Sequence, residues 1–573
     1  MRKTGSTVAL FISFLLVYFN PFIAAGQPSD GQEAGPQAER FKSEIEQKKQ
    51  ELETKKAKPP KIEIEERKER PGAEGISFIL KDVKITGTTV FKPEDFRPIY
   101  LAFIDKKITF QELQVIADNI KAKYKEKGYL TTIVYIPEQD IKEGIIEIRV
   151  AEGKMGKLKV EGNKWFSTPL IERFFHLKKN EILNVNKLQR DILRLNKISD
   201  LEIKTVVSSG EEPETSDITL EVKDKFPWHI GAGFDNQGTR MVGKYRSLFS
   251  LRSSNTTGHA DPLYLNSLFS THSFGESLSY TFPIDTYGTK FGLDFTYFKM
   301  KLGKEFKPFK ILGNTQIYNP HINWELYLAE DFEANTELGI DIKSTKKKMQ
   351  GTTISHDQLR LPYFGFDFTK TNPQGGQTTF APRFTFGTEN FLGASTRNHT
   401  SAAREGTGGF FFKYEQSLRR IQRMPGSSFM TIASQFQAAS HTLSSSEQFQ
   451  LGGANSIRGY PEGDYLADMG GSLNLDWIFP MYLIPEKWKL PGADLPLRHQ
   501  IQPVVFMDLG GGKLKKIIPG ERRNKFLMGI GGGLRVHLYN KVYLRLEWAE
   551  ALGDDTISGA GPSTFHITFQ AEI

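Results

Sequence analysis

"STFHITFQAEI" closes the chain, from Ser563 to Ile573. Phe565, Ile567, Phe569, Ala571 and Ile573 fall on one face, and Thr564, His566, Thr568 and Gln570 on the other. A strict period of two reads as a strand with one apolar and one polar side. Apolar side to lipid and polar side to a wet lumen is the pattern of a transmembrane barrel strand. The same alternation recurs upstream in "FPWHIGAGFD" (226–235), "TKFGLDFTYFKM" (289–300), "SSFMTIASQFQAAS" (427–440), "GGSLNLDWIFPMY" (470–482) and "NKVYLRLEWAEAL" (540–552).

The connections between these segments fall into two sets. "PIDTYGT", "TNPQGGQ", "RMPGSS" and "YNK" are short and turn-like. Alternating with them are "STKKKMQGTTISHDQ" (344–358), "NFLGASTRNHTSAAREGTGG" (390–409), "LGGANSIRGYPEGDYLAD" (451–468), "GGGKLKKIIPGERRNK" (510–525) and "LGDDTISGAGPS" (552–563), which read as longer polar loops. Short periplasmic turns and long outer loops are the expected asymmetry of an outer-membrane barrel. "PMYLIPEKWKLPGADLPLRHQ" (480–500) departs from it, being long where a turn belongs. The spacing predicts an all-β antiparallel barrel of about 16 strands over 225–573.

The N-terminal end has a different character. Arg2 and Lys3 precede the apolar run Val8–Phe19, and Ala24-Ala25-Gly26 offers small residues for cleavage. This predicts a secretory signal peptide over 1–26, the run being too short to cross a bilayer as a helix. Residues 27–37 read as disordered. Ala38–Lys58 read as a helix with Glu-to-Lys pairs at i,i+4 and a thin apolar stripe of Phe41, Ile45 and Leu52. Such a helix suits a polar channel or, as a spacer, open water. Pro59-Pro60 end it, and a charged linker occupies 59–75.

Two similar units follow, at 76–152 and 153–224. The first runs "FILKDVKITG" (strand), "KPEDFRPIYLAFI" and "TFQELQVIADNIKAKYKEKG" (helices), then "YLTTIVYIPE" and "GIIEIRVAEG" (strands). The second repeats the order with "KLKVEGN", "STPLIERFFHL", "NVNKLQRDILRLNKI", "LEIKTVVSS" and "DITLEVKD". A β-α-α-β-β order, twice, predicts small α+β modules.

Composition excludes several chemistries. With no cysteine there is no disulfide framework, thiolate metal site or cysteine nucleophile. The net charge of +8 arises from mixed Lys and Glu without a long block of one sign, and reads as solvated faces rather than a nucleic-acid surface. No G-x-S-x-G or H-E-x-x-H is present, and His499, His537 and His566 read as scattered strand residues, so no catalytic site, metal or cofactor is expected.

Taken in order, these features resemble the TpsB transporters of two-partner secretion, over nearly the whole mature chain. Arg458-Gly459-Tyr460, preceded by Leu451-Gly452-Gly453, matches that family's arginine-glycine-aromatic triplet, and Phe506, Asp508 and Gly510 in "FMDLG" match its second motif. The terminal Ile573 departs from the Phe that ends many such barrels. The resemblance implies two periplasmic POTRA modules and an outer-membrane barrel closed by a plug helix. It implies that 440–468 folds inward so that Arg458 meets Asp508. The local phase agrees, because Gln500, Gln502 and Asp508 share one face and Ile501, Val505 and Met507 the other. Read without the motifs, Arg458 is a solvated loop residue and Asp508 a strand-end turn former.

The resemblance also makes Leu130, Thr131, Thr132, Ile133, Val134, Tyr135 and Ile136 the edge strand that captures a passenger by strand addition. Implied partners are a secreted TpsA-like exoprotein, the outer-membrane bilayer with its lipopolysaccharide, and the barrel assembly machinery during biogenesis. A factor that inserts other barrels is the alternative within the same superfamily.

Overall fold

The computed structural model describes residues 33–54, 62–64, 77–141, 143–517, 521–539, 541–556 and 561–573. The signal-peptide expectation and most of the linker lie outside them. Among the described residues no helix is long and apolar enough to cross a membrane. They form two units, Glu53–Pro227 and the barrel with the residues before Glu53.

In the first unit, helix Phe110–Glu126 begins at a capping box. Thr109 accepts from the Glu112 N–H, and the Glu112 carboxylate takes the Thr109 N–H at 2.7 Å. Gly128, at φ +87°, follows its last turn in the left-handed conformation that ends a helix. Its buried face, Leu113, Ile116, Ile120 and Tyr124, rests on Ile146, Ile148 and Val150 of strand Ile145–Ala151. That strand is the centre of a three-stranded sheet, parallel to Asp82–Thr86 and antiparallel to the edge strand Ile133–Tyr135.

Two expectations for this module are corrected. "FILKDVKITG" is not one strand: the chain breaks at the buried Leu80, and Ser77–Ile79 pairs instead with Lys107–Thr109. The bends are held by Lys81 N–H to the Gly144 carbonyl and Asp105 N–H to the Leu80 carbonyl, both at 2.8 Å. The edge strand is also shorter than 130–136, because Leu130–Thr132 are still leaving the turn after Gly128 and Pro137 follows closely.

The second module has strands Lys154–Glu161, Leu201–Ser209 and Thr215–Asp224. Its helix Val185–Lys197, capped by the Asn184 side chain, buries Leu188, Ile192 and Leu195. A fourth strand comes from the stretch read as linker: Ile62–Ile64 adds in parallel to the outer edge of Leu201–Ser209, with Glu63 bonded to Lys204 at 2.9 Å.

In the other unit, 16 antiparallel strands close into a barrel, from Trp228–Asp235 to Ser563–Glu572. These two pair across the seam, and Ile573 continues it by exchanging both backbone hydrogen bonds with Ile230. The stretch 344–358, expected as a long loop, is mostly strand. Phe332–Met349 and Thr352–Asn372 meet at Gln350-Gly351, both at positive φ, the tight turn that matches strand twist. Its lysines and threonines break the apolar alternation by which a lipid-facing strand is read.

The helix preceding the modules runs Ala34–Thr54, so it starts within the segment read as disordered. It is not a solvated spacer, because it lies inside the barrel. Ala34, Ala38 and Phe41 are buried against Met241, Leu268, Phe298, Met300 and Ile317, with Ile45 at the margin. Gly275 leaves room for Phe41, whose ring stands 3.1 Å from where a Cβ would be. The Leu52 side chain lies outside the described residues.

Candidate functional site

The segment between strands Phe429–Ala439 and Met469–Ile478 turns into the barrel. Phe449–Leu451 and Tyr465–Ala467 pair as a short hairpin, and Leu451, Ile457, Tyr460, Tyr465 and Ala467 cluster with Leu514 and Leu527 of the wall. At its tip Arg458 is 3 % exposed and Asp508 is fully buried. Strand Ile501–Lys513 alternates as the sequence indicates, with Asp508 inward.

Arg458 Nε and Nη2 donate to the two Asp508 oxygens, each at 2.7 Å, and the Arg458 backbone N–H donates to Asp508 at 3.0 Å. Each residue of the second motif has a geometric reason. The guanidinium lies 3.5 Å from the centroid of the Phe506 ring, within cation–π range. Gly510 clears space, since a Cβ there would stand 2.8 Å from Ile457 and 2.9 Å from Leu451. In the triplet, Gly459 sits at φ +95° against the backbone of Glu550 and Ala551, where a side chain is excluded on both counts. The Tyr460 hydroxyl accepts the Gly553 N–H at 2.9 Å.

Sequence reasoning missed the rest of the cluster. Arg458 also donates to Asp476 at 2.6 Å and Glu547 at 3.1 Å, while Asn474 donates to Asp508 at 2.8 Å. Arg535 bridges Asp476 and Glu547, and Arg545 meets Glu547 at 2.6 Å. Three carboxylates on the wall thus face three guanidinia, two from adjoining strands and Arg458 from the loop, a balanced set in which each charge is desolvated but partnered. The available signal was phase: Asn474 and Asp476, and Arg545 and Glu547, are polar on strands whose alternate positions are apolar. Gly529 is a further missed residue, since a Cβ there would lie 1.9 Å from the Arg458 carbonyl oxygen.

Charged groups also fasten the helix. Lys42 donates to Asp341 at 3.0 Å, Glu44 accepts from Arg246 at 3.2 Å and Glu33 accepts from Lys347 at 2.6 Å. Two contacts join helix and loop. Arg40 meets Glu462 at 3.3 Å, and Lys343 bonds Glu39 of the helix and Glu447 of the loop, both at 2.7 Å. So the charge balance read as solvated faces is partly internal.

In the first module, Ile133 and Tyr135 of the edge strand are 38 % and 42 % exposed while Val134 points into the core. Behind the sheet, burial raises the cost of ionising Glu152. The hydroxyl of Thr89, the N–H groups of Val90 and Thr89, and the Tyr124 hydroxyl outweigh it and hold the Glu152 carboxyl below its ordinary range. The expected edge residues Leu130, Thr131, Thr132 and Ile136 lie outside the strand itself.

Known proteins resemble this arrangement along its length. The family model described as haemolysin secretion/activation protein ShlB/FhaC/HecB matches residues 214–536, and that of a ShlB-type POTRA domain matches 78–153. The heme/hemopexin transporter protein HuxB of Haemophilus influenzae is 23 % identical over 99 % of both chains. The outer membrane transporter CdiB of Dickeya dadantii is 21 % identical over 86 % of both. The solved structure of CdiB from Escherichia coli superposes with a TM-score of 0.74 at 17 % identity, covering 96 % of this chain and all of that one.

Proposed function

The chain belongs to the haemolysin secretion/activation family ShlB/FhaC/HecB, and on that premise we propose that it captures an unfolded exoprotein in the periplasm and exports it through the barrel. Members of the family are outer-membrane transporters of two-partner secretion, not enzymes, and the exported partner is a secreted protein. The barrel spans the bacterial outer membrane and the POTRA end lies in the periplasm. On this reading 76–152 and 153–224 are POTRA 1 and POTRA 2, and 225–573 is the pore, reached after removal of 1–26. Insertion uses the barrel assembly machinery, and the finished barrel meets phospholipid within and lipopolysaccharide outside.

The observation that carries the reading is a 16-stranded wall whose lumen is filled by two pieces of its own chain, each fastened by ion pairs beside a small apolar cluster. Contacts of that mixed kind separate without exposing a large apolar core. Capture begins at Ile133–Tyr135, where an extended segment gains main-chain hydrogen bonds and sets alternate side chains beside Ile133 and Tyr135. Helix Ala34–Thr54 then leaves the lumen, and the loop at Arg458 shifts or stays as the fixed wall of the channel. Folding of the passenger outside supplies direction.

The test compares culture medium and outer membrane from a strain lacking this gene with those of its parent. Loss of one or a few large proteins from the medium, other barrels unchanged, is expected. A broad fall in outer-membrane barrels would make the protein an assembly factor instead.

A further inference from the structure

The segment Pro480–Gln500 is the long connection on the rim where turns are otherwise short. It is compact rather than loose. Trp488 N–H donates to the Pro485 carbonyl at 3.0 Å, Leu497 N–H to the Trp488 carbonyl at 2.8 Å, and Met481 N–H to the Arg498 carbonyl at 2.8 Å. Two tyrosine hydroxyls fasten it to neighbouring turns of the same rim. Tyr482 donates to the Gly426 carbonyl at 2.8 Å and Tyr539 to the Pro491 carbonyl at 3.2 Å. Arg498 neutralises Glu486 at 3.0 Å.

What this scaffold displays is apolar. Leu483 is 92 % exposed, and Tyr482, Trp488 and Leu495 are more than half exposed, with Lys487 and Lys489 flanking Trp488. A rigid loop that holds a leucine almost wholly in water gains nothing for its own fold by doing so. The display is continuous with a surface that already meets lipid. Trp477, outward on the strand leading into the segment, packs at a tilt against Phe479 with centroids 4.9 Å apart. Tryptophan, tyrosine and lysine at the end of an apolar band are the residues of a membrane–water interface.

We propose that Pro480–Gln500 is an interfacial anchor, seated in the headgroup layer of the inner leaflet of the outer membrane. Leu483 and Trp488 enter the acyl boundary, and Lys487 and Lys489 meet phosphates of anionic phospholipid. It fixes the depth of the barrel on this flank, where a two-residue turn would leave the strands free to ride in or out.

The natural chain has no cysteine, so a single introduced thiol labels cleanly. The full-length protein carrying Leu483→Cys or Trp488→Cys is labelled with a small fluorophore. It is placed in vesicles of phosphatidylethanolamine and phosphatidylglycerol containing lipid nitroxide-labelled near the headgroup. Thr400→Cys, exposed on the opposite rim, is the reference. Strong quenching by the labelled lipid at 483 and 488, with protection from aqueous iodide, is the expected result. Iodide quenching equal to that at 400 overturns the proposal. Shielding from both quenchers also overturns it, by assigning the face to contact with protein.

Discussion

Arg458 meets Asp508 through its backbone as well as its side chain, with three hydrogen bonds between 2.7 and 3.0 Å. The loop is therefore held by the aspartate even where the guanidinium is removed, while the charge set is not.

Arg458→Ala leaves Asp508, Asp476 and Glu547 facing two arginines. Stranding a buried charge of this kind costs about 3–5 kcal/mol locally. Export is expected to fall steeply while the amount of folded barrel in the membrane, read by its mobility in unheated gels, is preserved. Equal loss of both would give Arg458 a structural role only. Arg458→Lys should recover little, since an ammonium neither forks onto Asp508 nor stacks on Phe506.

Gly529→Ala tests the loop's seat without touching a charge. The added methyl stands 1.9 Å from the Arg458 carbonyl oxygen, so the loop tip must move. Protease access to 455–462 from outside should rise and export should drop. An unchanged digestion pattern would mean that the wall yields instead.

Lys42→Glu sets a carboxylate beside Asp341, where the native pair stands 3.0 Å apart. The helix should spend more time out of the lumen. Planar-bilayer conductance and sensitivity to large antibiotics are expected to increase. Wild-type conductance would show that the remaining contacts suffice.

At the capture edge, Ile133→Glu and Tyr135→Glu change exposed side chains and should weaken cross-linking to the passenger with the module still folded. Val134→Asp enters the core and should unfold it. If the two exposed variants cross-link normally, capture occurs elsewhere.

Glu152 supplies a pH prediction. Its carboxyl is depressed below 4.5 in the fold, so the stabilisation is complete above that pH and is lost as pH falls through the lower folded value. Exchange of the Thr89 and Val90 amides should accelerate only in that acid window. In Glu152→Gln exchange is expected to be faster at neutral pH, by a loss of about 1–3 kcal/mol, and to respond less to acid.

The sequence made the lipid-facing part of the fold readable because lipid enforces alternation. Where strands leave the membrane that constraint lapses, and 344–358 reads as loop although most of it pairs on either side of the Gln350-Gly351 turn. The two motif residues with charge, Arg458 and Asp508, were legible from phase and pattern. Asp476, Glu547, Arg535 and Arg545 were not singled out, because they belong to no short motif and meet only when the wall closes. Ile62–Ile64 escaped notice since a three-residue strand among charged residues carries no period of its own.

The helix inside the barrel lends Glu33, Glu39 and Glu44 to Lys347, Lys343 and Arg246, and takes Asp341 and Glu462 with Lys42 and Arg40. It is thus a counter-ion to the wall as well as an obstruction. Deleting it would take partners from Lys347, Lys343 and Arg246 and from Asp341 and Glu462 together, leaving charges of both signs along one stretch of lumen. A polypeptide of mixed charge would find there the electrostatic complements that the helix had supplied, and reversal potentials of a helix-deleted variant would read their balance.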